Sequence, residues 1–379
     1  MTLLNGAVAR PGRVVFFAAY PHVFGGPERG LEVLARGLVA RGWSVGVTLP
    51  GEGVAAARFA DAGLDVNVVP AGHALLVYGK SATRGARALA AAAALPAYWV
   101  RLRRRFVGAD LVHVFGQRGA LMAGPAARLA RVPMVWHVGG RETGRAINGL
   151  AATVADAVLA VSRYAADGLP ARAHPTVVQN AVDPAAFGTY EAHLDADVVC
   201  AARLTAEKGV DVLVRAAVLL RERVPDLRVV IYGAPQTGHE SYRADLDALT
   251  HELDLAEVVR FAGPVDTPYA LWAGARVYVQ PSRQEGFGLA AAEAMASGLP
   301  VIASAVGGLV EVLDGGRVGV LVPPDDPRAL AAAIERLLDD RPEAARLAEA
   351  GQARAAAYYA VDAMVDGVEA VYWRLLSPE

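Results

Sequence analysis

Arg276-Val277-Tyr278-Val279-Gln280-Pro281-Ser282-Arg283-Gln284-Glu285-Gly286-Phe287-Gly288-Leu289-Ala290-Ala291-Ala292-Glu293-Ala294 holds a strand-like run, a glycine-bearing loop and an alanine-rich helix in direct succession. One carboxylate, Glu285, stands before the helix, and a second, Glu293, stands inside it after seven intervening residues. The free amides of a helix N-terminus favour an anion. The neighbours of Glu293, Leu289 to Ala296, are otherwise small or apolar, and a helix that apolar is buried. An ionised carboxylate buried without partners costs several kcal/mol or more. A pair of ligand hydroxyls would satisfy Glu293; so would an arginine or a backbone amide within the fold. Two acids beside an anion site suit a ligand with both phosphate and hydroxyl groups, such as a nucleotide sugar.

The same alternation extends over the chain. Short apolar runs predict strands at 13–18, 44–49, 66–69, 111–114, 134–137, 157–161 and 176–179, with helices between them. The helix expected over 29–41 carries Leu31, Leu34, Ala35 and Leu38 at helical spacing, and Gly42 stands where a helix-ending glycine belongs. A second series predicts strands at 198–202, 228–232, 258–262, 277–280, 301–303 and 319–322. Helices are expected at 209–223, 242–253, 288–297 and 327–338, and one further helical segment over 342–376. Strand–helix alternation argues for parallel sheets covered on both faces. The expected class is α/β, with two doubly wound parallel-sheet domains facing each other across a cleft. The first domain is expected over 1–183, completed by a returning helix at about 357–379, and the second over 184–356. Turn formers and weak periodicity mark 180–196 as the linker. Ligands of such sheets bind at the carboxyl ends of strands.

Composition narrows the function classes. The chain has 379 residues, 54% of them hydrophobic and 20% charged. A formal charge of −2 gives no reason to expect nucleic acid as a partner. Of 37 lysines and arginines only Lys80 and Lys208 are lysines, so each lysine is worth inspecting. The one cysteine, Cys200, lies in an apolar run and reads as a small core residue. Met1 to Arg13 lack the charged-then-apolar order of a secretory signal and no apolar run reaches about 18 residues, so neither a leader nor a membrane span is expected, and the expected location is cytoplasmic. The apolar run Ala88–Val100 ends in Arg101-Leu102-Arg103-Arg104-Arg105. This pattern suits a buried helix with an arginine-rich end; the alternative is contact with an anionic membrane or acceptor.

Other strand ends carry related chemistry. Arg203 and Lys208 follow the strand at 198–202, where two cations could hold a diphosphate and stabilise its departure. A solvated loop with a Glu207–Lys208 pair is the plainer reading. Gly25 and Gly26 follow the first strand and open the first helix, where their amides can approach a phosphate. The pattern is not G-x-G-x-x-G and no acid ends the second strand, which argues against a dinucleotide site. His137 ends the strand at 134–137 and leads to Arg141, while His113 lies inside an apolar strand and reads as structural. Ser162 and Asn180 sit at similar strand ends, as ligand contacts or as simple caps and turns.

Together these segments resemble the retaining GT-B glycosyltransferases of family four. The resemblance is carried by Glu285–x7–Glu293, by Arg203-Leu204-Thr205-Ala206-Glu207-Lys208-Gly209, and more weakly by Gly25-Gly26-Pro27-Glu28, Val161-Ser162 and Asn180-Ala181-Val182-Asp183. In the last, alanine replaces the family's usual glycine at position 181. The resemblance implies transfer of a hexose-type sugar from a nucleoside-diphosphate sugar, with UDP or GDP as the base-bearing part, to a hydroxyl of a small-molecule or lipid-linked acceptor. Arg203 and Lys208 would hold the diphosphate, and Glu285 the sugar hydroxyls, helped by the amides of Gly286, Phe287, Gly288 and Leu289. Glu293 would bind the ribose. Gly25, Gly26 and the backbone near Gly233 would complete the donor contacts. His137 would be the cleft histidine near the reacting centre, catalytic with Glu285, Arg203 and Lys208, and His137 and Arg141 would meet the acceptor. No cofactor or metal is expected. A phosphorylase or epimerase on the same fold, and a non-catalytic two-domain sugar- or nucleotide-binding protein, are the competing readings. Oligomeric state is not encoded in any of these motifs.

Overall fold

The computed structural model describes residues 11–76, 86–141, 144–183, 196–235, 240–264 and 274–377. Runs rich in valine, isoleucine and phenylalanine form the strands, as expected of β-branched and aromatic residues in a buried sheet. Among the described residues one sheet contains β1 (Arg13–Phe17), β2 (Ser44–Leu49), β3 (Asp65–Val68), β4 (Leu111–Phe115), β5 (Met134–Val138), β6 (Ala157–Ala160) and β7 (Thr176–Val177). The other contains β8 (Ala196–Ala201), β9 (Val229–Tyr232), β10 (Val259–Gly263), β11 (Ala275–Gln280), β12 (Val301–Ser304) and β13 (Val320–Val322). Their orders are β3-β2-β1-β4-β5-β6-β7 and β10-β9-β8-β11-β12-β13, with parallel pairing throughout. Strand order therefore reverses at β1/β4 in one sheet and at β8/β11 in the other. Such a switch point leaves two strand-end loops side by side without a helix between them.

The chain divides into two units. One comprises the described residues up to Val161, Ala165–Val178 and the chain from Val361; the other comprises Ser162–Tyr164 and Gln179–Ala360. In the first, the helix Gly26–Ala40 buries Leu31, Leu34 and Leu38, and Gly42 follows at φ 91° with its amide on the Val39 carbonyl. In the second, Val198, Val229, Val277 and Ile302 meet Leu213, Leu220, Ile334 and Leu337 from covering helices. Cys200 is fully buried in this core, and burial pushes its thiol up to about 12, as suits an inert packing residue.

Several expectations need correction. The segment at 342–376 is two helices, Arg341–Tyr358 and Val361–Leu376, the first in the second unit and the other in the first. Tyr359 makes the break. Its buried ring packs edge-on against Phe287 at 5.4 Å, and its carbonyl accepts the amide of Val182 at 2.7 Å. Those contacts hold it out of the helix, although neither glycine nor proline marks the junction. The start of the expected linker is also not slack: Asn180, Ala181 and Val182 are buried in the second unit. Residues 184–195, at the expected domain boundary, lie outside the described residues, as does Lys80. The arginine-ended run lies in the helix Ala86–Phe106, and Arg103 Nε donates to the Leu129 carbonyl at 2.9 Å. Among the described residues no helix is long and apolar enough to cross a membrane.

Candidate functional site

The reversal at β8/β11 brings two loops together in the second unit. The loop after β8 contains Arg203 and a single 3-10 turn, Ala206–Lys208, ended by Gly209 at φ 63°. The loop after β11 runs from Pro281 to Gly288, and the helix Leu289–Ala296 follows. A Cβ on Gly209 would lie 2.0 Å from the Pro281 carbonyl oxygen, so only glycine allows this approach at this conformation. The amides of Arg283 and Gln284 both donate to the Glu207 carbonyl, at 2.9 and 3.2 Å.

Across that seam Lys208 Nζ donates to Glu285 Oε2 at 2.6 Å, with the two side chains 13% and 14% exposed. Ser282 Oγ also donates to Glu285 Oε2, at 3.4 Å, and itself accepts from Gln280 Nε2 at 3.0 Å. Tyr278 OH donates to Gln280 Oε1, beginning this chain inside the sheet. Every donor in the series points toward the carboxylate, so Oε2 is held from two sides. Glu293 lies in the following helix at 1% exposure, as its apolar neighbours required. Phe287 is buried against Tyr359, so its side chain belongs to the core and only its backbone is available at the loop.

Neighbouring loops shape the same corner. Arg203 is exposed, and the adjacent Leu204 amide donates to the Ala234 carbonyl at 2.9 Å. Gly233 has φ 147°, and a Cβ there would meet the Ala202 oxygen at 1.8 Å. After β12, the Gly308 amide donates to the Glu285 carbonyl at 3.0 Å, while a Cβ on Gly307 would lie 2.0 Å from that same oxygen. Ser162 Oγ donates to the Gly286 carbonyl at 2.6 Å within this unit. The sequence marked Arg203, Lys208, Gly233, Glu285 to Leu289 and Glu293, and the fold gathers their loops around β8 and β11. It did not mark Gly307, Gly308, Ser282 or Gln280, whose parts are tertiary contacts; the one available signal was the Gly307-Gly308 pair after a strand.

The remaining expected residues lie in the first unit. Gly25 precedes the helix Gly26–Ala40, and its amide donates to Glu28 Oε2 at 2.9 Å, a helix-start arrangement. A Cβ on Gly26 would meet nothing within 4 Å. Arg141 is exposed. His137, expected as a ligand contact at a strand end, is completely buried within β5. Its Nδ1 lies 3.1 Å from His113 Nε2, and His113 Nδ1 lies 2.5 Å from Tyr372 OH. His137 Nε2 has no hydrogen-bond partner among the described residues. Phe115 stacks on both histidines, at 5.0 Å from His113 and 4.7 Å from His137. Burial lowers His137 to about 3, and burial with the neighbouring His137 lowers His113 well below its ordinary range, so both rings are neutral near pH 7.

The two parallel-sheet units have the GT-B fold. The structure of Anabaena HepE in complex with UDP and glucose superposes with a TM-score of 0.81 at 21% identity, over 95% of this chain and 99% of that one. Sucrose-phosphate synthase from Thermosynechococcus elongatus gives 0.79 at 22% identity, over 97% and 100%. Residues 24–186 match the family described as Glycosyltransferase Family 4, and residues 191–354 match Glycosyl transferases group 1. The two glycosyltransferase matches together run from residue 24 to residue 354, the family-four model on the first part and the group 1 model on the second. Among curated relatives, D-inositol 3-phosphate glycosyltransferase of Thermomonospora curvata is 42% identical over 45% of this chain and 41% of its own length. Lipopolysaccharide core biosynthesis mannosyltransferase LpsB of Rhizobium meliloti is 31% identical over 47% of this chain and 52% of its own. The matched stretch thus spans about half the length of these relatives or less.

Proposed function

We propose that this chain transfers a hexose-type sugar from a nucleoside-diphosphate sugar to a hydroxyl acceptor with retention of anomeric configuration. The observation that carries the reading is the Lys208–Glu285 pair at the β8/β11 switch point, with buried Glu293 in the helix that follows. Arg203 and Lys208 neutralise the diphosphate as it leaves, a charge that grows in the transition state. Glu285 takes sugar hydroxyls, the amides of Gly286 to Leu289 and the backbone at Gly233 take donor oxygens, and Glu293 takes the ribose hydroxyls. The acceptor oxygen forms its bond to the anomeric carbon on the face from which the phosphate departs. The acceptor proton passes to the departing phosphate oxygen, so no strong protein base and no metal is needed in this scheme. The second unit binds the donor; the first, with Gly25, Gly26 and Arg141, serves the acceptor side. His137 acts near the reacting carbon only when its buried Nε2 becomes accessible. UDP is the first nucleotide to test, because HepE was solved with UDP and glucose.

A thermal-shift series with UDP, GDP, ADP and TDP tests the reading, since a ligand that binds only the folded state raises its stability by about 2.7 kcal/mol at 100 times Kd. One diphosphate is expected to raise the melting temperature, and the matching nucleotide sugars are then screened for transfer. A chain that none of the four stabilises would speak for the non-catalytic sugar-binding reading.

A further inference from the structure

The geometry points to Arg283 as the positioning residue that fixes Lys208 against Glu285. This inference rests on the proposed donor site but concerns a residue whose type no motif in that site demands. Arg283 stands two residues before Glu285, on the loop after β11. Its guanidinium reaches three separate pieces of the second unit. Nη1 and Nη2 donate to Asp211 Oδ1 and Oδ2 at 2.8 and 2.7 Å, a two-pronged pair at the start of the helix Val210–Arg221. Nη1 also donates to the Ala206 carbonyl at 2.7 Å, within the turn that carries Lys208. Nε donates to Asp325 Oδ1 at 2.6 Å. Tyr242 OH completes the arrangement by donating to Asp211 Oδ1 at 2.6 Å.

The consequence for the pair follows from chain connectivity. Lys208 is bracketed by Ala206, held by the guanidinium, and by Asp211, held by its two prongs. Glu285 follows Gln284, whose amide joins that of Arg283 on the Glu207 carbonyl. The fork of a guanidinium supplies planar, directional donors that an ammonium lacks. One side chain thus closes a ring through both loops, two residues from Glu285 on one side and two residues from Lys208 on the other. Burial pushes Asp211 up, but the hydrogen bonds from Arg283 and Tyr242 outweigh it and hold the carboxyl below its ordinary value. The fork therefore meets an ionised partner at neutral pH.

The scarcity of lysine supplies the test. Lys80 and Lys208 are the two lysines of the chain, so 15N-lysine labelling of this chain gives two ammonium signals, assigned with Lys208→Met. The hydrogen-exchange rate of the Lys208 ammonium reports opening of its pair. In Arg283→Ala this exchange is expected to quicken about tenfold, equivalent to about 1.4 kcal/mol in the opening equilibrium. Asp211→Asn should act in the same direction, and the double variant should add little to either. Asp325, 58% exposed, should matter much less when replaced by alanine. Circular dichroism confirms that each variant is folded. A merely structural arginine would lower the melting temperature and leave the Lys208 exchange rate untouched. That result, or a wild-type Lys208 ammonium exchanging as fast as free lysine, overturns the inference. Calorimetric titration with UDP supplies a separate arm, in which Arg283→Ala should bind at least about fivefold more weakly. A wild-type chain that binds none of UDP, GDP, ADP and TDP overturns the donor reading instead, while the exchange result decides the role of Arg283.

Discussion

Replacing Lys208 by methionine keeps the alkyl stem and removes the charge that faces Glu285. At 2.6 Å the bare Coulomb attraction at an effective dielectric of about 20 is roughly 6 kcal/mol, most of it offset by the desolvation of both groups. Breaking a fully buried pair costs about 3–5 kcal/mol, whereas an exposed pair contributes about 0–1 kcal/mol. Both side chains keep about one-seventh of their surface in solvent, so Lys208→Met should destabilise the second unit by about 2 kcal/mol. Ser282 continues to donate to Glu285 Oε2, which limits the loss. Urea denaturation of wild type, Lys208→Met, Glu285→Gln and the double variant forms the cycle, and a coupling of about 1–2 kcal/mol is expected. The double variant should regain part of the stability but none of the transfer activity, because in the proposed site each residue also grips the donor. A coupling near zero, or a double variant that transfers sugar at the wild-type rate, refutes the reasoning.

Other consequences can be checked separately. Gly209→Ala must place a Cβ at φ 63° and 2.0 Å from the Pro281 oxygen; it should lose more than about 2 kcal/mol and weaken nucleotide binding, both read by calorimetry. His137 has a folded-state value lowered to about 3 from 6.5, so the unfolded chain binds more protons between those values. Stability is then intact above about pH 6.5 and falls by up to about 1.4 kcal/mol per pH unit as pH drops toward 3. Denaturation midpoints should show a shallower acid slope in His137→Asn than in wild type. Arg41 bonds Asp362, Asp366 and Glu369 of the helix Val361–Leu376 at 2.9, 2.5 and 2.7 Å. Arg41→Ala leaves these three acids together, which should raise hydrogen exchange across that helix, and added salt should lessen the difference.

The strand ends were legible because local sequence makes them. Runs such as Val198-Val199-Cys200 and Val277-Tyr278-Val279 have the composition of buried strands, and glycine-bearing loops follow them. The parallel order and the juxtaposition of Lys208 with Glu285 then follow from doubly wound topology. Burial of Glu293 was legible from the alanines around it. The break at Tyr359 was not, because its causes are Phe287 and Val182, distant in sequence. Arg283 looked like one arginine among many, since nothing near it in sequence announces Asp211 or Asp325 as partners. His137 stands at a strand end, but its neighbours across the sheet, His113 and Phe115, enclose it. Each unread feature depends on a contact between residues far apart along the chain.

The reading that Lys208 grips the diphosphate of a sugar donor meets its most direct test in calorimetric titration of wild type and Lys208→Ala with UDP, and with GDP where UDP gives no heat. Saturable binding to wild type, weakened at least tenfold in a Lys208→Ala chain that remains folded, is the expected result. Equal affinity in the two proteins contradicts the assignment of Lys208, and absence of binding to wild type by either nucleotide contradicts the proposed UDP- or GDP-linked donor.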